Sequence, residues 1–164
     1  MFSEKEYSLY EGFPRKYYSI KNKMFKDWEI PPWNLHIDCS KLLGEGEFGK
    51  VYLATWHNTQ VVAKVIHEDI SKEKKRLFIQ EIDVLTKIHH PNVVQLMGYV
   101  TNPFIIVMEY LPNGELLEYI QKHKWSLSIS KKIDICLDIL RALTYLHNRK
   151  PFPILHRDIK PQNI

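Results

Sequence analysis

Cysteine is scarce in this chain and long apolar runs are absent, and both facts narrow its class. The 164 residues include only two cysteines, Cys39 and Cys136, which lie outside any CxxC or Cys/His pattern. This excludes a disulfide framework and a cysteine-based zinc site, and it favours a reducing compartment. No apolar run approaches the roughly 20 residues that cross a bilayer, and the first ten residues lack the apolar core of a signal peptide. We therefore expect a soluble intracellular, cytoplasmic protein without a membrane span.

Charged residues of a single sign are not concentrated in this chain either. The net charge is +4, with 26% charged and 45% hydrophobic residues, an ordinary globular composition. The basic residues over 72–76 are read as a solvated helix face, and no basic stripe interleaved with aromatic residues is present. The pair His89-His90 has no further ligands at metal-binding spacing. We expect no nucleic-acid partner and no metal at these histidines.

Composition divides the chain into three parts. Residues 1–34 form an N-terminal extension that is rich in Tyr, Phe and Lys, has no clear period and ends near Pro31-Pro32. Its aromatic residues either brace the next domain or belong to a mobile tail. Residues 35–110 then show strand patterns with one helix, and residues 111–164 show helical patterns alone. This order predicts an α+β arrangement.

The periodicity also places the individual elements. Apolar and β-branched runs predict strands near 35–44, 50–56, 60–67, 93–100 and 104–109. Steps of three and four residues predict helices from Ser71 to about His89, over 115–122 and over 130–148. The last helix carries an apolar stripe formed by Ile133, Leu137, Leu140, Leu143 and Leu146.

A glycine-rich segment, GEGEFGKV, occupies residues 44–51. Gly44, Gly46 and Gly49 let the backbone bend close to an anion, so that amide groups face phosphate oxygens. A dinucleotide-binding fold needs a helix directly afterwards, whereas residues 51–56 predict a strand. The segment therefore predicts a hairpin that covers phosphates, although on its own a glycine-rich hairpin without a ligand is as good a reading.

Lys64 stands inside the apolar run Val61–Ile66. A lysine in such a strand usually marks an edge or a solvated face, because an inward ammonium group needs an anionic partner. Glu81 on the following helix is one candidate partner, since it lies beside core-facing apolar positions. Asp83 and Glu73 lie on the same helix, and spacing alone does not exclude them.

The most specific pattern is HRDIKPQN at residues 156–163. Asp158 can accept the proton of an attacking hydroxyl group, and Lys160 can neutralise charge on a transferred phosphoryl group. Asn163 offers an oxygen ligand to Mg²⁺. The full pattern after a long helix makes a chance charged loop a poor reading.

Together these motifs, in this order, resemble a eukaryotic protein kinase domain from about Lys41 to Ile164. The resemblance implies a bilobal fold, with a five-stranded antiparallel sheet and one helix in the N-lobe (35–110) and the start of a helical C-lobe (111–164). It implies transfer of the γ-phosphoryl group of ATP to a protein hydroxyl with Mg²⁺ as cofactor. Lys64, Glu81, Asp158 and Lys160 would be catalytic and Asn163 would bind metal, and the family's helix-to-strand spacing favours Glu81 over Asp83.

The same resemblance implies the nucleotide contacts. Residues 106–111 resemble the hinge, with Met108 as gatekeeper and with backbone groups of Glu109 and Leu111 facing adenine. Val51 and Ala63 would pack on the purine, and Glu115 would reach the ribose. The nucleotide-binding set is Leu43, Gly44, Glu45, Gly46, Glu47, Phe48, Gly49, Val51, Ala63, Lys64, Met108, Glu109, Leu111 and Glu115.

The substrate class follows from Lys160. A lysine at this position is typical of serine/threonine kinases, whereas tyrosine kinases usually carry Ala and Arg in this stretch. His90-Pro91-Asn92, the hinge and residues 151–154 are similar to the tyrosine-kinase-like group. We therefore expect a serine/threonine protein kinase.

The pattern stops at Ile164, before any Asp-Phe-Gly metal site. We accordingly expect a truncated domain that is inactive alone, with a protein partner covering the exposed face of helix 130–148. Two alternatives stay open. One is a non-catalytic nucleotide-binding or scaffold module, and the other is an unrelated nucleotide-dependent transferase or small α+β domain.

Overall fold

A computed structural model describes residues 26–46, 49–67, 71–123 and 126–164. Glu47 and Phe48 of the predicted nucleotide-binding set lie outside these ranges, as does most of the predicted N-terminal extension. The described residues form two compact units. The first unit comprises the described residues within 26–87 and 95–110, and the second unit comprises those within 88–94 and 111–164.

A five-stranded antiparallel sheet dominates the first unit. Its strands are β1 (Leu35–Gly46), β2 (Gly49–Trp56), β3 (Thr59–Ile66), β4 (Leu96–Thr101) and β5 (Phe104–Glu109). They lie in the order β1-β2-β3-β5-β4. The five predicted strands are confirmed, except that the strand expected from residue 93 begins only at Leu96.

One helix, α1 (Lys72–Leu85), accompanies the sheet. Its prediction is confirmed, but the expected end near His89 is wrong. The Thr86 hydroxyl donates to the Asp83 carbonyl at 3.0 Å, and Lys87 N–H donates to the Val84 carbonyl three residues earlier. These tighter local bonds end the α-helical pattern, because they replace bonds to the carbonyl four residues back.

The apolar residues of the first unit form two clusters. One gathers buried side chains from β1, β2, β3, β4 and β5, including Ile37, Val61 and Val107. The other joins the buried face of α1, through Phe78 and Ile82, to residues of the sheet. Phe78 meets Phe104 edge to face, with ring centroids 4.9 Å apart. The second cluster therefore attaches α1 to the sheet.

The segment before β1 is also part of the first unit. Glu29 forms a parallel bridge with Tyr99 of β4, and Ile30 is buried in the first apolar cluster. Pro32 begins a single 3-10 turn that leads into β1. The last residues of the predicted extension thus pack on the sheet.

Helices form the second unit. They are α2 (Leu116–Lys122) and α3 (Ile129–His147), which match the predicted helices to within one residue. Ser128 caps α3 by accepting a hydrogen bond from Lys131 N–H at 3.1 Å. None of the helices in the described ranges combines the length and the hydropathy that a bilayer crossing requires.

The predicted apolar stripe of α3 is buried only at its C-terminal end. Leu146 is buried and Leu143 is partly buried. The three earlier members are exposed, by 54% at Ile133, 42% at Leu137 and 57% at Leu140. The described residues therefore leave a row of large apolar side chains accessible to solvent.

Candidate active site

The glycine-rich segment lies at the β1–β2 hairpin. Gly44 pairs with Val51 and Gly46 pairs with Gly49, so an antiparallel strand follows the glycines and no helix does. This confirms the predicted hairpin. A Cβ atom at Gly44 or Gly46 would meet no atom within 4 Å, whereas one at Gly49 would collide with the Val65 carbonyl oxygen. Gly49 thus permits close packing on β3, and the first two glycines leave space beside the backbone.

Lys64 on β3 forms an ion pair with Glu81 on α1. The distance from Lys64 Nζ to Glu81 Oε1 is 3.0 Å. The alternative partner Asp83 instead pairs with Lys87 at 2.6 Å, four residues along the helix. The side chain of Glu73 lies outside the described part of α1. The structure therefore brings together the predicted Lys64 and Glu81.

The face of the sheet that carries Lys64 also carries Val51 and Val62. Val51 pairs directly with Lys64 across the β2–β3 ladder, and directly opposed residues share a face. Val62 lies two residues before Lys64 and pairs with Met108. Residues two apart in a strand point to the same side.

Ala63 is a correction to the predicted nucleotide-binding set. It is fully buried in the first apolar cluster, on the opposite face from Lys64. Its side chain therefore does not fit a contact with a ligand beside Lys64. Val62, which sequence reasoning missed, occupies the matching place, and counting two residues back from Lys64 would have identified it.

The remaining nucleotide-binding candidates fall in both units. Met108 and Glu109 end β5 in the first unit, where Glu109 N–H donates to the Gln95 carbonyl and the Glu109 carboxylate accepts from Gln95 N–H at 2.7 Å. Glu45 pairs with Lys50 at 3.5 Å, and Leu43 is exposed. In the second unit, Leu111 is exposed and Glu115 occupies the N-cap position of α2. The Glu115 side chain makes no capping bond there.

The HRD segment of the second unit is organised around the Asp158 carboxylate. Lys160 Nζ lies 2.9 Å from Asp158 Oδ2. The Asn163 amide nitrogen donates to the same oxygen and to the Asp158 carbonyl, each at 2.8 Å. Three of the predicted site residues therefore meet at one carboxylate within six positions of the chain.

This arrangement keeps the carboxylate ionised. Hydrogen bonding from Lys160, followed by that from Asn163, lowers the pKa of Asp158 below its usual 3.8. An ionised carboxylate at neutral pH accepts protons, so Asp158 has the protonation state that a general base requires.

Two neighbours of Asp158 shape the loop and were missed as contributors. Asp158 N–H donates to His156 Nδ1 at 3.3 Å, two residues back. Arg157 between them has φ of 66°, a left-handed conformation that is uncommon outside glycine, asparagine and aspartate. Such strain is held by its surroundings and is typical of functional loops.

The donor chemistry fits a nucleotide and Mg²⁺ in part. The Asn163 side chain donates both of these hydrogen bonds through its nitrogen, so its amide oxygen is the atom suited to a hard cation. Within the described ranges, no three His, Cys, Asp or Glu side chains gather as a metal site. Asn163 could therefore offer a magnesium ion one ligand from this segment.

Comparison with known proteins agrees with this geometry. The family model for protein tyrosine and serine/threonine kinases matches residues 37–164. The chain is 42% identical over 144 residues to serine/threonine-protein kinase VIK, 39% identical over 142 residues to integrin-linked protein kinase 1 and 36% identical over 143 residues to serine/threonine-protein kinase CTR1, all from Arabidopsis thaliana.

Each of these matches includes 84% of this chain. The chain spans 32% of the length of VIK, 29% of that of integrin-linked protein kinase 1 and 17% of that of CTR1. The family match covers more than three quarters of the chain, including the hairpin, the Lys64–Glu81 pair and the HRD segment. The chain therefore belongs to the protein tyrosine and serine/threonine kinase family.

Proposed function

We propose that this chain belongs to a serine/threonine protein kinase, which transfers the γ-phosphoryl group of ATP to a protein hydroxyl. The observation that carries the proposal is the Asp158 carboxylate, held by Lys160 and Asn163. The family and the Lys64–Glu81 pair agree with it.

The second unit supplies the groups that act on the acceptor. Asp158 is ionised at neutral pH, so it orients the substrate hydroxyl and accepts its proton. Lys160, 2.9 Å from Asp158, places a positive charge beside the oxygen atoms that gain charge in transfer. Asn163 keeps Asp158 in place with its nitrogen and offers its oxygen to Mg²⁺, which neutralises phosphate charge when bound.

The first unit supplies the groups that hold the nucleotide. Lys64 is kept in position by Glu81 and presents its ammonium group to phosphate oxygens. The backbone of the β1–β2 hairpin faces the phosphates, and Val51 and Val62 pack on the purine. The Glu109 backbone binds the adenine edge. Leu111 and Glu115 belong to the second unit, and their nucleotide contacts stay predictions.

The acceptor class is serine or threonine. Lys160 supports this choice, as does the similarity to VIK and CTR1, which are both named serine/threonine-protein kinases. Such a kinase acts on protein substrates, and we place it in the cytoplasm.

Nucleotide binding to the 164-residue chain tests the first unit's role. We expect Lys64→Met to weaken binding of a fluorescent ATP analogue with Mg²⁺ by about tenfold or more, because a charge-assisted hydrogen bond contributes about 1.5–3 kcal/mol. Lys41→Met is the matched control, since Lys41 is an exposed lysine of β1 paired with Asp38. Equal affinity for the two variants would remove Lys64 from the site.

A phosphotransfer assay on the native gene product tests the role of the second unit. We expect Asp158→Asn to retain ATP binding and to lower kcat by about 100-fold or more, the usual contribution of a positioned base. Asp138→Asn on α3 is the control, because Asp138 is an exposed carboxylate paired with Arg141. Retained kcat in Asp158→Asn would exclude the base, and phosphotyrosine as the product would exclude the serine/threonine assignment.

A non-catalytic protein-binding module is the second candidate. The exposed Ile133, Leu137 and Leu140 on α3 favour it, together with an open groove of about 390 Å³ beside Leu137 and Tyr145. This candidate predicts that the chain binds another protein and that Leu137→Asp or Leu140→Asp abolishes the binding. It also predicts that the native gene product shows no phosphotransfer.

A further inference from the structure

One exposed turn of the second unit contains an asparagine that is placed to react with its own backbone. The turn covers residues 111–114 and is closed by a hydrogen bond from Gly114 N–H to the Leu111 carbonyl at 3.2 Å. Asn113 precedes Gly114, and it is the one asparagine of the sequence that a glycine follows. Both residues are exposed. The side-chain amide of Asn113 and the next backbone nitrogen are therefore adjacent and open to water.

The turn itself favours glycine at the second position of this pair. Gly114 has φ of 69°, a left-handed conformation that residues with a side chain rarely adopt. Apart from its chain neighbours, the one described atom that a Cβ at Gly114 would meet within 4 Å is Glu118 Oε2, at 3.4 Å. The surroundings of Gly114 are therefore open. A side chain at this position would hinder attack by the backbone nitrogen, and the conformation of the turn disfavours one.

We propose that Asn113 is a site of spontaneous deamidation. The Gly114 nitrogen attacks Cγ of Asn113 and forms a C–N bond, while the bond from Cγ to the side-chain nitrogen breaks. The Gly114 proton leaves with that nitrogen as ammonia. The resulting succinimide ring then takes up one water molecule. Opening of the ring at one carbonyl gives aspartate, and opening at the other gives isoaspartate, in which the backbone runs through the side-chain carbon. Water is the co-reactant, and no atom is oxidised or reduced.

The isoaspartyl product acts on the HRD segment through one backbone hydrogen bond. Leu116 N–H, at the start of α2, donates to the Ile164 carbonyl at 2.7 Å, and Ile164 directly follows Asn163. Isoaspartate at position 113 adds one atom to the backbone shortly before Leu116. The added atom displaces this N–H group, so the modified chain holds the end of the HRD segment less firmly. A consequence for phosphotransfer rests on the proposed function, whereas the deamidation does not.

The folded turn should slow the reaction without preventing it. Attack requires the Gly114 nitrogen to leave its bond with the Leu111 carbonyl, and that bond is exposed and at the long end of the usual range. Because one such bond contributes modestly, deamidation in the folded chain should be about 2- to 10-fold slower than in the unfolded chain. Asn148 is an internal control, since it is also exposed but is followed by Arg149.

Mass spectrometry of the aged chain tests the site. The 164-residue chain is incubated at mildly alkaline pH, both folded, as checked by circular dichroism, and unfolded in guanidinium chloride. Peptide mapping detects the replacement of the amide by a carboxyl group, and electron-transfer fragmentation separates isoaspartate from aspartate. Asn113→Gln is the matched variant, because it keeps a side-chain amide but does not form the five-membered ring.

We expect both products at position 113 in the folded parent chain, at about one half to one tenth of the rate in the unfolded chain. Asn148 and the Asn113→Gln variant should stay unmodified over the same time. An unmodified Asn113 in the folded chain, under conditions where the unfolded chain reacts fully, would overturn the proposal. Equal reaction at Asn148 would overturn it as well, because the reaction would then not depend on the glycine.

Hydrogen–deuterium exchange tests the effect on the HRD segment. Exchange at the Leu116 amide should be about tenfold faster in the purified isoaspartyl chain than in the fresh chain, because one hydrogen bond is weakened. The Lys132 amide, which donates to the Ser128 carbonyl at 3.1 Å in the same unit, should exchange at an unchanged rate. Asn113→Asp should also leave Leu116 unchanged, since it adds the charge without the extra backbone atom.

Unchanged exchange at Leu116 in the isoaspartyl chain would overturn the effect on the HRD segment. Binding of an ATP analogue with Mg²⁺ is measured on the same fresh chain. Failure to bind would count against the proposed function alone, and the mass and exchange data would still decide the role of Asn113.

Discussion

The coupling between Lys64 and Glu81 is expected to be small in the absence of nucleotide. At 3.0 Å the bare attraction is about 5.5 kcal/mol for an effective dielectric constant of about 20. Desolvation of the ammonium group and immobilisation of two long side chains offset most of it. Since the side chain of Lys64 is 25% exposed and that of Glu81 is 45% exposed, solvent screens the pair much as it does at a surface. We therefore expect a coupling free energy of about 0.5–1 kcal/mol.

A double-mutant cycle with Lys64→Met, Glu81→Gln and the combined variant measures this coupling. Urea unfolding followed by circular dichroism gives the free energy of unfolding of each chain, and the non-additive part is the coupling. The Lys50–Glu45 pair provides a matched cycle, because its charged atoms are 3.5 Å apart and both side chains are at least 42% exposed. Its coupling should be close to zero.

Two outcomes would refute the reasoning. A coupling above about 2 kcal/mol would mean that the pair behaves as a buried one, in which loss of one partner strands a charge. A coupling indistinguishable from that of the Lys50–Glu45 control would mean that the two side chains do not hold each other. The expected small coupling free energy should become smaller still in 1 M NaCl. That result would mean that the pair orients Lys64 while changing the free energy of unfolding very little.

Two further predictions concern the Asp158 loop and the attachment of α1. Hydrogen bonding by Lys160 lowers the pKa of Asp158, so the stability that this carboxylate contributes is present above its unfolded pKa and is lost as the pH falls through the lower folded value. Lys160→Met should move the pKa of Asp158 up toward 3.8, as followed by NMR of the carboxyl carbon; an unchanged value would exclude the bond. Phe78→Ala should reduce the free energy of unfolding by about 3–5 kcal/mol, because it empties a buried site, whereas Ile79→Ala on the exposed face should change it by less than about 1 kcal/mol. Equal losses in urea unfolding would contradict the assigned buried face.

Local patterns in the sequence predicted the elements well. The alternation of apolar residues located β1, β2, β3 and β5, and the steps of three and four residues located α2 and α3. These signals are strong because each element buries one face and therefore repeats its own period. The end of α1 was harder to predict, since hydrogen bonds such as that of the Thr86 hydroxyl compete locally with the helix and leave no periodic trace.

Site residues were predictable where a sequence motif identified them. They were less predictable where only the three-dimensional structure shows which side chain faces the site. The HRD segment identified Asp158, Lys160 and Asn163, which lie together because they are close in sequence. The residues of this chain alone left both Glu81 and Asp83 open, the resemblance to kinases favoured Glu81, and the structure places Lys64 beside Glu81. The prediction of Ala63 in place of Val62 shows a different limit of sequence analysis. A shift of one residue along a strand moves the side chain to the opposite face of the sheet.

The close approach of the Ile30 side chain to Gly98 of β4 also constrains how this sequence can diverge. A Cβ atom added at Gly98 would lie 2.6 Å from Ile30 Cδ1. Residues 30 and 98 are distant in the chain but share one small volume, so neither can enlarge alone. A homologue that carries a side chain at the position of Gly98 should compensate with a smaller residue at the position of Ile30, or should have lost the bridge between Glu29 and Tyr99. The two positions should therefore covary, and the start of this kinase unit is better recognised by that pair than by the first residue of β1.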